Sequence, residues 1–258
     1  MAASLAAAPA QAVDKTKYIA LGDSYAAGQG AGPYQDNICY RSENAYSELA
    51  AEVKAVKLVT NAACSGKTTS EVVQGQLQKL NRSTELVTIT AGGNDIGFGT
   101  IVTKCVTAMF DPSAVADCDK ASTTATEMIT GGKLADDVAA MIQSVHAAAP
   151  NAKVVVTGYP YLYNPVAPGQ TDPTSLFIYR ATALADGLNA TIAAAAGATG
   201  AQYVDVRGTF AGHGINSAAP WINFDLANPA SPDNFHPNAA GYRAYYAALR
   251  LAGAYGAS

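Results

Sequence analysis

Charge is what this sequence has least of. Aspartate, glutamate, lysine and arginine make up 14% of the 258 residues, and the net charge is −4. There is no basic stripe, which excludes the electrostatic footprint of a nucleic-acid-binding protein. No segment reaches the roughly 18 consecutive apolar residues of a membrane-spanning helix, so stable membrane insertion is not expected. Histidine occurs three times, at scattered positions, and the four cysteines form no Cys-x-x-Cys pair. Zinc therefore lacks its usual ligand spacing, and no metal or other cofactor is expected. What is abundant is apolar: 49% of the residues are hydrophobic. That is the composition of a soluble globular chain with ample core.

Residues 1–12 are alanine-rich and end in Ala10-Gln11-Ala12, a small-x-small pattern of the kind found at signal-peptidase sites. They read as the tail of an export signal, and residues 13–258 as one domain of a secreted, extracellular protein. In an exported chain an even number of cysteines suggests disulfides. Four cysteines allow three pairings. Cys39–Cys64 and Cys105–Cys118 are favoured, because each closes a loop region between predicted core elements.

Short apolar runs at Tyr18–Leu21, Lys57–Thr60, Glu85–Thr90, Lys153–Thr157 and Tyr203–Val206 read as buried strands. Helical periodicity lies between them. Leu134, Val138, Met141, Ile142 and Val145 share one face, and Thr69–Leu80, Leu176–Ala196 and Asn238–Ala252 are further helices. Strand–helix alternation implies a parallel sheet covered on both faces, with ligands bound beyond the strand C-termini. The long connections at that edge, about 97–132, 160–176 and 207–232, would supply substrate pockets. Tyr161, Leu162, Tyr163, Phe210, Trp221, Ile222 and Phe224 lie there and read equally as contact surface or as core.

The unusual residues gather at that edge. Gly22-Asp23-Ser24 follows the first run, Cys64-Ser65-Gly66 the second, Gly92-Gly93-Asn94-Asp95 the third and Gly158-Tyr159-Pro160 the fourth. A serine at a strand end that opens a helix exposes its hydroxyl and has a free N–H, as a nucleophile and oxyanion donor require. On that stretch alone, capping by Asp23 or Ser24 is equally open. Asp233 and His236 lie three residues apart between Pro232 and Pro237, so a carboxylate can reach one imidazole nitrogen while the other faces outward. The Ser24 N–H, the Gly66 N–H and the Asn94 side chain would surround one oxygen.

These four blocks, in this order over about residues 16–252, resemble the SGNH (GDSL) hydrolases, in particular the secreted actinobacterial lipases and esterases. Tyr25 stands where the family's name motif has leucine. The resemblance implies a flavodoxin-like three-layer α/β/α sandwich with a five-stranded parallel sheet. It implies Ser24 as nucleophile, His236 as general base and Asp233 as its orienting partner. Ser24, Gly66 and Asn94 would form the oxyanion hole. Some related enzymes replace the acid by a backbone carbonyl, but here Asp233 is present and a full triad is expected. The expected activity is hydrolysis of small-molecule or lipid esters by a monomer. A polysaccharide O-acetyl esterase, a phospholipase and a catalytically silent binding module are the alternatives. Three motifs are set aside. Ser65-Gly66-Lys67-Thr68 lacks the upstream glycine of a phosphate loop, His146 and His213 receive no role, and Asn81 and Asn189 head glycosylation sequons.

Overall fold

The computed structural model describes residues 15–53 and 56–256. The expected export tail at residues 1–12 lies outside them. The strands are β1 Thr16–Gly22, β2 Val56–Asn61, β3 Leu86–Thr90, β4 Lys153–Thr157 and β5 Gln202–Val204. They form one parallel sheet in the order β2-β1-β3-β4-β5. The helices are α1 Ser24–Ala27, α2 Tyr46–Ala51, α3 Thr69–Gly75, α4 Phe98–Phe110, α5 Val115–Thr130, α6 Lys133–Ala148, α7 Pro173–Ala198 and α8 Ala239–Leu251. No helix among the described residues is long and apolar enough to cross a membrane.

The layers follow from which faces are apolar. All five residues of β3 are buried, as a strand covered on both sides must be. Helices α2 and α8 pack together on one face, and α3, α6 and α7 cover the other, with α4 and α5 packed outside them. Buried threonines within the strands are satisfied by tyrosines. Thr88 bonds Tyr18 at 2.6 Å, and Thr157 bonds both Thr90 at 2.6 Å and the Tyr245 hydroxyl of α8 at 2.7 Å. No hydroxyl of this group is left without a partner, which is what its burial requires. Between β1 and β3 the strand order reverses, and the ends of both strands open into one crevice.

One connection holds more structure than its sequence indicates. The segment from 97 to 132 is not an open connection but the helical hairpin α4–α5. Helix α4 starts from Gly97 with no side-chain cap, and α5 buries only Cys118 and Ala125. The start signal of α4 was therefore absent, and the α5 face of Cys118, Ala121, Ala125, Met128 and Ile129 is built half from small residues, which weakens its pattern. Conversely the helix read to Leu80 breaks at Gly75 and continues as a single 3₁₀ turn, Leu77–Lys79. Both disulfides take the expected pairing, Cys39–Cys64 and Cys105–Cys118.

Candidate active site

Ser24 is placed by two constraints on β1's exit. Gly22 has φ +128°, and a Cβ there would lie 2.1 Å from the Thr90 carbonyl oxygen, so only glycine fits against β3. The next residue, Asp23, donates its N–H to that same carbonyl at 2.9 Å. Its carboxylate then caps α1, accepting from the Tyr25 N–H at 2.9 Å, and also takes the Tyr159 hydroxyl at 2.5 Å. Burial pushes the Asp23 carboxyl up to about 7. Ser24 is thereby the first residue of a one-turn helix, 7% exposed, and its N–H has no partner among the described residues.

Two hundred residues later the chain returns with His236. Phe235 adopts φ +65°, a left-handed conformation that bulky side chains rarely take. It is held there from both sides. Its N–H donates to Asn223 O at 2.8 Å, and its carbonyl accepts the Tyr25 hydroxyl at 2.6 Å. The turn curls the Asn234 carbonyl under the imidazole, 2.9 Å from His236 Nδ1. A carbonyl can only accept, so Nδ1 carries the hydrogen and Nε2 presents a lone pair. That Nε2 lies 2.9 Å from Ser24 Oγ, whose hydroxyl therefore donates to it.

Asp233 is the correction. Its carboxylate does not meet the imidazole but accepts the Tyr34 hydroxyl, whose oxygen in turn accepts the Gly30 N–H at 2.8 Å. Three-residue spacing brings the acid close, but the left-handed turn gives Nδ1 to the Asn234 carbonyl. Asp233 acts on the ring only through space, its charge favouring the imidazolium. Burial outweighs that and pulls His236 down to about 4. The imidazole is neutral at neutral pH, ready to accept a proton.

The third component is a set of N–H groups. Gly66 has φ +78°, and its N–H, like that of Ser24, has no partner among the described residues. Its loop is fixed by the Cys39–Cys64 disulfide and by Cys64 N–H donating to Gly22 O at 3.0 Å. Asn94 donates one Nδ2 hydrogen to Lys67 O at 3.0 Å, which sets the amide's orientation and leaves its second hydrogen free. Beside it, the Asp95 carboxylate takes both the Thr69 N–H at 3.0 Å and the Thr69 hydroxyl at 2.6 Å. Ser24, Gly66, Asn94 and His236 line one cavity of about 570 Å³. A hydroxyl paired with a neutral imidazole, facing free N–H donors, is an arrangement suited to acyl transfer.

Several contributors have no sequence signature. Besides Tyr25 and Tyr34, Gln29 bonds Pro232 O and accepts the Ser65 hydroxyl at 2.5 Å, and Asn223 donates to Gly30 O at 2.9 Å. Together they tie the histidine loop to the serine turn. Their partners lie up to about two hundred positions away, beyond any local pattern. Of the apolar and aromatic candidates, Phe210 and Ile222 are core, whereas Leu162 and Tyr163 line a second cavity. His213 stacks on Trp221, and Asn189, the acceptor of the second sequon, is fully buried.

Residues 20–244 match the family model described as GDSL-like lipase/acylhydrolase. Lipase 1 of Streptomyces coelicolor is 36% identical over 253 residues, covering 95% of this chain and 90% of its own. Two solved structures superpose with a TM-score of 0.81, each covering 92% of this chain and 99% of its own. They are the extracellular lipase of Streptomyces rimosus, 35% identical, and the phospholipase A1 of Streptomyces albidoflavus NA297, 34% identical. The chain belongs to the GDSL-like lipase/acylhydrolase family and is an esterase/lipase-type hydrolase.

Proposed function

We propose that the protein is a secreted carboxylesterase or lipase, a single hydrolase domain over residues 13–258, that cleaves acyl esters through a Ser24–His236 pair. The observation that carries this reading is the 2.9 Å contact from Ser24 Oγ to an imidazole nitrogen whose tautomer is set by the Asn234 carbonyl. Ser24 Oγ attacks the ester carbonyl carbon while Nε2 takes the hydroxyl proton. The carbonyl oxygen becomes an oxyanion held by the N–H groups of Ser24 and Gly66 and by Asn94 Nδ2. Collapse breaks the ester C–O bond, and the imidazolium returns the proton to the departing alcohol. Water then repeats the sequence on the acyl-enzyme. The role of the third triad member, orienting the imidazole, falls to a neutral carbonyl.

Two disulfides and the extracellular Streptomyces rimosus relative support export. The phospholipase A1 among the similar structures makes glycerophospholipid esters the second substrate class to assay. Wild-type protein is expected to hydrolyse p-nitrophenyl butyrate and octanoate, and Ser24→Ala is expected not to; equal rates would refute the reading.

Two further expectations separate this pair from a full triad. Where a buried acid orients the histidine, neutralising it costs about 10⁴ in kcat. Because Asp233 bonds Tyr34 instead, Asp233→Asn is expected to lower kcat by less than about tenfold. Its larger effect would be on stability, of the order of 1–3 kcal/mol for the disturbed Tyr34 contact. A kcat loss above about a thousandfold would restore the acid to the catalytic role. The second expectation concerns pH. Protonated Nε2 cannot accept the serine proton, so activity is lost as pH falls through the histidine pKa. The acid limb of kcat/KM should lie well below 6.5, toward 4. A limb centred at 6.5 or above would mean that the site does not hold the ring in its neutral form.

A further inference from the structure

A second chamber, of about 410 Å³, lies behind the catalytic cavity. Tyr25 and Gly93, the residues next to Ser24 and Asn94, stand at one end of it. Phe98, Val102, Val106 and Phe235 line both spaces, so the two adjoin along these side chains. From there the chamber runs between two helices. On α4 its wall extends from Phe98 to Ala108, about 15 Å at the helical rise. On α7 it is a stripe at three- to four-residue spacing, Leu188, Leu184, Ala181 and Phe177, running away from the strand ends. The Cys105–Cys118 disulfide also lines it and ties α4 to α5. At the far end Val115 and Leu176 are 43% and 45% exposed, so the chamber meets solvent there.

The lining excludes most occupants. It is chiefly aliphatic and aromatic, and its one pair of charged side chains, Arg180 and Asp119, is satisfied within itself at 2.6 Å. A sugar or a glycerol headgroup would lose its water here without gaining partners. An alkyl chain would not.

Resting on the Ser24–His236 reading, we propose that this chamber holds the acyl chain of the ester, and that Ala181 on α7 sets the accepted chain length. The alcohol part then occupies the 570 Å³ cavity, among Ser65, Asn94 and Asn234. With single C–C bonds of about 1.5 Å, an extended chain advances about 1.3 Å per carbon, so 15 Å takes about twelve carbons. A methyl side chain at position 181 keeps the middle of that path open.

The test is a p-nitrophenyl ester series from acetate to palmitate, each below its micellar concentration, on wild type, Ala181→Leu and Ala181→Trp. Each methylene moved from water into such a lining can add up to about fourfold to kcat/KM. Wild type should therefore climb from butyrate to dodecanoate by about a hundredfold or more. Ala181→Trp should lower the dodecanoate-to-butyrate ratio at least tenfold, and Ala181→Leu should lower it less. The graded pair keeps the test decisive if the tryptophan variant does not fold. A flat wild-type series, or unchanged ratios in both variants while a fluorophosphonate still labels Ser24, would overturn the assignment. So would variants whose preference shifts only among acetate esters of longer alcohols, since that puts the leaving group in the chamber. If Ser24 is unreactive and no ester is cleaved, the reading of the site fails, and the chamber assignment fails with it.

Discussion

Ser24→Ala is expected to lower kcat for p-nitrophenyl butyrate by about 10⁴–10⁶, with KM little changed. The magnitude follows from the chemistry. Removing the nucleophile of a serine hydrolase leaves only the binding and oxyanion contributions, and losses of about 10⁶ are typical of such sites. His236→Ala should cost about as much, because without Nε2 the hydroxyl keeps its proton. The double variant should be no worse than either single one, since the two groups act as a unit. Folding should survive in Ser24→Ala: the hydroxyl's recorded contact is to His236 alone, and the backbone that holds α1 is untouched. A double variant showing the product of two large independent losses would contradict the 2.9 Å pairing as the source of activity. The same holds for a Ser24→Ala protein within tenfold of wild type.

Asn94→Ala is expected to lower kcat by about 10²–10³ and to leave KM within a few-fold. Deleting one oxyanion donor has this effect because the donor acts on charge that develops only in the transition state. The structure gives the reason Asn94 is ready for it. One amide hydrogen is committed to Lys67 O, so the second has a fixed direction. Losing that bond should cost about 1 kcal/mol of stability, which a thermal melt would resolve from the kinetic effect. Asn94→Asp preserves the shape but sets a negative charge beside the oxyanion, and it should be at least as inactive as alanine. An effect confined to KM would mean that Asn94 binds substrate uniformly and does not distinguish the transition state.

How much of this was legible beforehand differs from element to element, for physical reasons. The central strands β1, β3 and β4 announce themselves as apolar runs, since both faces are covered, whereas the edge strand β2 leaves Lys57 and Val59 exposed; four of the five runs end in the motifs that form or flank the site. The capped helices were legible too: Thr68 and Glu71 form a capping box at α3, and Asn238 caps α8. The α4–α5 hairpin was not, because α4 starts uncapped and the apolar face of α5 is interrupted by small and polar residues, yet these helices enclose the second chamber. Sequence spacing placed Asp233 near His236 correctly but could not orient it. Orientation depends on the left-handed Phe235, and nothing in the sequence assigns that conformation to a phenylalanine. The stapling of that loop by Tyr25, Gln29 and Asn223 depends on contacts between positions about two hundred apart, which only the fold brings together.

The central claim is that Ser24 is an activated nucleophile because His236 is neutral and bonded to it. A fluorophosphonate reaction followed by intact mass and peptide mapping tests it most directly. The expected result is one adduct, on Ser24, formed by wild type and abolished in His236→Ala. No adduct on folded protein with both disulfides intact, or an adduct on another residue, would contradict it.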